Sequence, residues 1–158
     1  MNSDFMVAVH ALVYLNHKAD TVSSEALAEN ICTNAARVRK VMVPLKRAGL
    51  VSTREGSVGG YRFAADAAEV SLRTVADALS THFVESTWHS GSHDMDCLIA
   101  CGMADVMDGI FADLNKRCLE ELARISIADI DARIFEPSVQ DGDRATHPHS
   151  LTPSNSTD

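Results

Sequence analysis

The stretch "TNAARVRKVMVPLKRAGL", Thr33–Leu50, decides how this 158-residue chain is read. Val38, Val41, Met42 and Leu45 recur at i, i+3, i+4 and i+7, the stripe that an α-helix turns toward a core. At about 100° per residue the opposite face then carries Ala36, Arg39, Lys40, Val43 and Arg47. Small and apolar positions set among three long cations suit a groove better than open water. Thr33 or Asn34 supplies the N-cap and Gly49 the stop. Pro44 removes one backbone donor and crowds the carbonyl four residues earlier, which predicts a kink near the last turn.

Charge sharpens the question this helix raises. The chain has a formal net charge of −8, yet between Thr33 and Arg54 lie six cations (Arg37, Arg39, Lys40, Lys46, Arg47, Arg54) and no Asp or Glu. The rest holds the other 8 basic and all 22 acidic residues, a balance of −14. Such a dipolar chain can turn one basic face to a polyanion while its other surfaces repel it. A solvated helix face is the plain alternative. Hydrophobic content of 46% and charged content of 23% fit one globular domain with a real core. No apolar run approaches the ~18 residues of a membrane span, and "MNSDFMVAVHALVYL" lacks a secretory n-region. A cytoplasmic protein with no membrane partner is expected, its four cysteines mostly reduced.

Outward from the central stretch, Phe5, Val9, Leu12 and Val13 predict a helix over Ser3–Leu15, and "DTVSS" caps a short helix over "EALAENI". "LVSTR", "EGSVGG" and "YRF" read as a hairpin, in which Gly59 and Gly60 supply positive φ for a tight turn or a close approach to a groove. "VSLRTVADAL" is a further helix capped by Ser71, followed by an irregular connection. Met103, Met107, Ile110, Leu114, Cys118, Leu122 and Ile125 then trace the longest helix. One small domain offers little to cover so long a stripe, so it packs against a second copy or, alternatively, serves as an ordinary core helix. From residue 136 to 158 the composition is that of a disordered tail.

This order of elements, with "SSEALAENI", "VRKVMVPLKRAGLVSTREG", "GGYRFA", "VSLRTVADAL" and "ISIADI", resembles the Rrf-two family of bacterial regulators, which are IscR-, NsrR- and CymR-like. The resemblance implies a mainly α fold with a small β-hairpin wing: a winged helix-turn-helix with a long C-terminal dimerisation helix. It divides the chain into a DNA-binding region (1–82), a connecting sensor-type segment (83–102), the dimerisation helix and its end (103–135), and the tail. It also implies a homodimer on double-stranded DNA with a palindromic operator, usually acting as a repressor. Arg39 and Lys40 fall at base-reading positions, with Ala36 and Val43 beside them, while Arg37, Lys46, Arg47 and Arg54 suit phosphate. Thr33 and Asn34 at the helix N-terminus suit phosphate too. Ser57, Gly59, Gly60, Tyr61 and Arg62 belong to the wing that reaches the minor groove. The wing departs from the family pattern at Glu55 and Val58, with Arg54 and Arg62 as possible substitutes.

Cluster-binding relatives carry three cysteines before the dimer helix. Here Cys97 and Cys101 stand alone, and the last family cysteine is Asp105, so the chain is most similar to the cluster-free, YwnA-like members. The first expectation is therefore no resident cofactor, with DNA affinity set by the thiols of Cys97 and Cys101 or by an effector. The alternative is a zinc ion or iron–sulfur cluster on His89, His93, Cys97 and Cys101, which recur every four residues and share one side if helical. Asp94 and Asp96 would raise the thiol pKa values. Cys32 and Cys118 are read as packing residues, Trp88 as core, interface or pocket lining, and Asp4 as a surface carboxylate at its helix's start. A winged helix that binds protein rather than DNA is a separate possibility. No nucleophile elbow or phosphate loop points to an enzyme.

Overall fold

In the computed structural model, which describes residues 3–56 and 59–135, all four apolar residues of the central stretch are buried, Val38 and Leu45 completely. They lie on α3, Ala35–Arg47. Asn34, rather than Thr33, is its cap: the backbone is extended and the side-chain oxygen accepts the Arg37 amide at 2.8 Å. Pro44 lies inside the helix, which continues through it to Arg47, and the Pro44 carbonyl accepts the Ala48 amide at 3.0 Å. Termination follows at Gly49, whose φ of 74° lets Leu50 donate to Leu45 and Gly49 donate to Lys46, each at 3.0 Å.

Two helices build the platform for α3. Helix α1, Ser3–Lys18, runs past the expected Leu15 and buries Val7, Ala8, Ala11, Leu12, Val13 and Leu15. Helix α2, Ser24–Ile31, starts at Ser23, whose hydroxyl accepts the Ala26 amide at 3.1 Å, and buries Leu27 and Ala28. Cys32 does not pack in the core as expected. It is exposed at the C-cap of α2 with a left-handed φ of 56°, and so forms the corner between α2 and α3.

Strands β1 (Val51–Arg54) and β2 (Gly60–Phe63) pair antiparallel, Val51 opposite Phe63 and Arg54 opposite Gly60. Neither Gly59 nor Gly60 adopts the positive φ allowed for them; Gly56 does, at 107°. Close packing fixes them instead. A Cβ at Gly59 would lie 2.6 Å from the Arg54 carbonyl oxygen, and one at Gly60 would overlap the Val22 carbonyl. Val22 and Tyr61 exchange two backbone hydrogen bonds of 2.8 Å, which stitch the hairpin to the start of α2. Ser57 and the tail lie outside the described residues.

Helix α4, Leu72–Ala78, is capped by Ser71, and α5 spans Leu98–Leu122. The long helix thus begins five residues before the expected Met103 and stops short of Ile125, taking the end of the connecting segment with it. The chain turns after Leu122 because Ser126 and Asp129 cap a new helix, α6 (Ile127–Phe135). Ser126 donates its amide to Asp129 Oδ2 at 2.8 Å, and the Asp129 amide donates to Ser126 Oγ at 3.0 Å. Leu72 donates to the Ile125 carbonyl and Ile127 to that of Val70, so wholly buried Ile127 locks α6 onto α4. No residue of α5 is buried, contrary to the core-helix alternative, and Met103, Val106, Ile110 and Leu114 are exposed. Among the described residues no helix is long and apolar enough to cross a membrane.

The crowding at the wing's root has a direct consequence. Gly60→Ala should lower stability by about 1–3 kcal/mol, read as a reduced urea midpoint, while an alanine at Gly102, where nothing lies within 4 Å, should not.

Candidate nucleic-acid interface

The same burial that holds α3 in place turns Ala36, Arg39, Lys40, Val43 and Arg47 to the surface, all five exposed as the helical wheel requires. Asn34 is exposed and Thr33 half-buried beside it. The cations are not bare. Arg37 donates from Nε and Nη2 to Asp4 Oδ1 at 3.1 and 2.9 Å, and Lys40 Nζ donates to Asp4 Oδ2 at 3.1 Å. Arg39 Nη1 donates to Glu25 Oε1 at 3.0 Å and to Ser24 Oγ at 2.9 Å. Asp4 is therefore more than a carboxylate at a helix start: it is the shared acceptor of two cations from α3. Its pKa lies below the ordinary value, chiefly through the Arg37 hydrogen bond and then that of Lys40. The Glu25 carboxyl is lowered too, first by its own backbone amide, then by Ser24, then by Arg39. These side chains remain one-third to three-quarters exposed, so solvent screens each pair and little of the fold's stability rests on them.

Lys46 leans toward the wing, Nζ donating to Thr53 Oγ1 at 2.8 Å. Among the described residues no carboxylate pairs with Arg47, Arg54 or Arg62. The hairpin register, Ser52 opposite Arg62 and Arg54 opposite Gly60, puts Arg54 and Arg62 on one exposed face. Tyr61 points the other way. It packs against the core, and burial raises its phenol pKa. It supports the wing rather than extending it.

The connecting segment lies along α5. Asn115 Oδ1 accepts the amides of Phe83 and Val84 at 2.8 and 3.4 Å, His89 Nε2 is 3.1 Å from Asp108, and Ser92 donates to the Ala100 carbonyl at 3.0 Å. At its start Phe83 meets Phe5 of α1 edge to face, with centroids 5.0 Å apart. His89, His93, Cys97 and Cys101 do not share one side of a helix, because α5 begins only at Leu98 and leaves both histidines in irregular chain. His93 Nε2 lies 3.9 Å from Asp105. With only two thiols here, and no three His, Cys, Asp or Glu side chains among the described residues placed to share a metal ion, the donors do not fit a cluster. A cavity of about 330 Å³ is lined by His89, His93, Cys101, Asp105 and Asp108. Trp88 is 74% exposed, so it is not core; it borders a smaller cavity with Met107 and Phe111.

Cys97 is the N-cap of α5, exposed and in extended backbone, without a capping hydrogen bond. The Ala100 and Ile99 amides nevertheless lower its thiol pKa, so the raising effect expected from Asp94 and Asp96 does not prevail. Cys101 is one turn on, its amide bonded to the Cys97 carbonyl at 2.9 Å and its Sγ 3.5 Å from the Leu98 carbonyl oxygen.

This arrangement has counterparts. The chain is 28% identical over 135 residues, 85% of its own length and 99% of the other's, to a protein of Bacillus subtilis (strain 168) described as the HTH-type transcriptional regulator YwnA. A transcriptional-regulator structure from Lactobacillus plantarum superposes with a TM-score of 0.75 at 22% identity, covering 86% of this chain and 92% of that one. IscR of T. potens does so with 0.64 at 20% identity, covering 90% and 93%. These two likenesses show the fold. Residues 1–133 match the family described as Rrf2, iron-dependent transcriptional regulator, and the chain belongs to that family of winged-helix transcriptional regulators rather than to any class of enzyme.

Proposed function

We propose that the protein is a cytoplasmic homodimer that binds a palindromic operator in double-stranded DNA and represses transcription. Its affinity is set by the thiol state of Cys97 and Cys101 or by an effector. The observation that carries this reading is the cationic outer face of α3, held outward by the buried Val38, Val41, Met42 and Leu45. In a major groove that face brings Arg39 and Lys40 to base edges, with Ala36 and Val43 between them. Arg37, Lys46, Arg47 and Arg54 serve phosphates, together with Thr33 and Asn34 at the positive end of α3. The wing, with Ser57, Gly59, Gly60 and Arg62, reaches the next minor groove, and Tyr61 holds it from behind. Pairing of two α5 helices would cover Met103, Val106, Ile110 and Leu114, which one subunit leaves exposed.

Three measurements check this. A double variant Arg39→Glu/Lys40→Glu should bind a duplex selected by the wild type at least about 100-fold more weakly in fluorescence anisotropy, while sedimentation still reports a dimer.

Asp4→Asn should do the reverse for random-sequence duplex. Releasing Arg37 and Lys40 in both subunits allows up to about four more phosphate contacts per dimer, so affinity rises several-fold and the salt dependence steepens by up to about four. The sign of the pH effect follows from the same pair. Asp4 titrates below 3.8, so its contribution to stability is complete above that value and is lost only as pH falls through the still lower folded-state pKa. Binding between pH 5 and 8 should show no step that Asp4→Asn removes.

Cys97 should be alkylated by iodoacetamide at pH 7 faster than Cys32, as resolved by mass spectrometry, because its thiol pKa is lowered. Peroxide should weaken DNA binding by the wild type and leave Cys97→Ser unchanged.

A further inference from the structure

The two carboxylates that reach α3 treat its arginines in opposite ways. A guanidinium has five N–H donors: one on Nε and two on each Nη. Asp4 Oδ1 takes Nε and Nη2 of Arg37, the edge that pairs bidentately with a base or phosphate. On Arg39 the contacts fall at the other end. Nη1 donates to Glu25 Oε1 at 3.0 Å and to Ser24 Oγ at 2.9 Å, and among the described residues no acceptor meets the Nε and Nη2 edge.

The grip on Arg39 is built from connected parts. The Ser24 hydroxyl donates to Glu25 Oε2 at 3.1 Å, so Ser24, Glu25 and Arg39 close a ring of three hydrogen bonds. Ser24 is 8% exposed and stands at the start of α2, fixed by the Ser23 cap. One end of the guanidinium is thereby tied to a buried point, and the Arg39 side chain as a whole stays 53% exposed.

We propose that Glu25 is a specificity-determining positioning residue, which presents the free edge of Arg39 to one guanine in each operator half-site. This rests on the DNA-reading role of α3 given above and adds the base and the residue that selects it. Guanine offers two acceptors, O6 and N7, to an edge that carries only donors. Adenine places a donor beside N7 and cytosine presents a donor alone, so both leave a clash of N–H groups. An arginine free to rotate would settle on a phosphate as readily as on a base. Glu25 removes that choice, and its negative charge repels the backbone.

The test uses the full chain and a duplex library with 20 randomised base pairs, selected separately by the wild type, Glu25→Ala, Arg39→Ala and the double variant. Circular dichroism confirms the fold, which the exposed Glu25 does not support. The wild type should enrich one guanine per half-site that Arg39→Ala loses. Glu25→Ala should weaken preference at that same position by about tenfold, keep the rest of the motif, and bind random duplex no more weakly than the wild type. Adding Glu25→Ala to Arg39→Ala should change base preference no further. Retention of the guanine by Glu25→Ala, or loss at a different position from Arg39→Ala, overturns the role of Glu25 while leaving DNA reading intact. A wild type that enriches no motif overturns DNA reading itself, and this assignment with it.

Discussion

Burial of one face of α3 is the constraint on which the rest of the structure depends. Val38, Val41, Met42 and Leu45 sit against Leu12 and Leu15 of α1 and Leu27 of α2 in a single core. Each large side chain removed from water contributes about 1.5–3 kcal/mol, whereas an exposed ion pair contributes about 1 or less. The apolar face therefore decides which way the helix points. The carboxylates of Asp4 and Glu25 have too little leverage to rotate α3, but enough to choose among rotamers of side chains already outside. Orientation and fine positioning are thus separate tasks, done by different residues at different energies.

That separation also explains what could be read from the sequence. The periodicity of α3, its Asn34 cap, the Gly49 stop and the Ser71 cap are local patterns, because each depends on residues within one or two turns. The pairs on Arg37, Arg39 and Lys40 join residues 33, 14 and 36 positions apart, and no local pattern announces them. Gly59 and Gly60 stand out in the sequence, but neither takes the positive φ of a tight turn: what excludes a side chain there is the neighbouring backbone of Arg54 and Val22. Cys32 has the composition of a packing residue, but the corner between α2 and α3 places it in left-handed backbone with its thiol exposed. The start of α5 is not set by local pattern, because "LIAC" fits a helix as well as a loop. Cys97, where the helix begins, makes no side-chain capping bond that would mark the start, although the first-turn amides lower its thiol pKa.

The connecting segment is joined to both halves of the molecule. Asn115, Asp108 and the Ala100 carbonyl hold it to α5, and Phe83 rests on Phe5, the residue next to Asp4. Its contacts are few and mostly exposed, which places it at the low end of local stability, where a modest change in free energy suffices to rearrange chain.

The acidic body acts in the same direction as these pairs. With −14 outside the 33–54 window and two of its neighbouring carboxylates drawn onto α3, the protein attracts phosphate less than its six clustered cations alone would. Non-specific affinity rises with every uncompensated cation, and a genome offers vastly more wrong sites than right ones. Weakening the backbone term costs total affinity but improves the ratio between operator and random DNA, because base contacts made by a held arginine are untouched by it. A net charge of −8 is therefore no argument against DNA binding. For a regulator it is one way of making the sequence-dependent contacts decide where the protein rests.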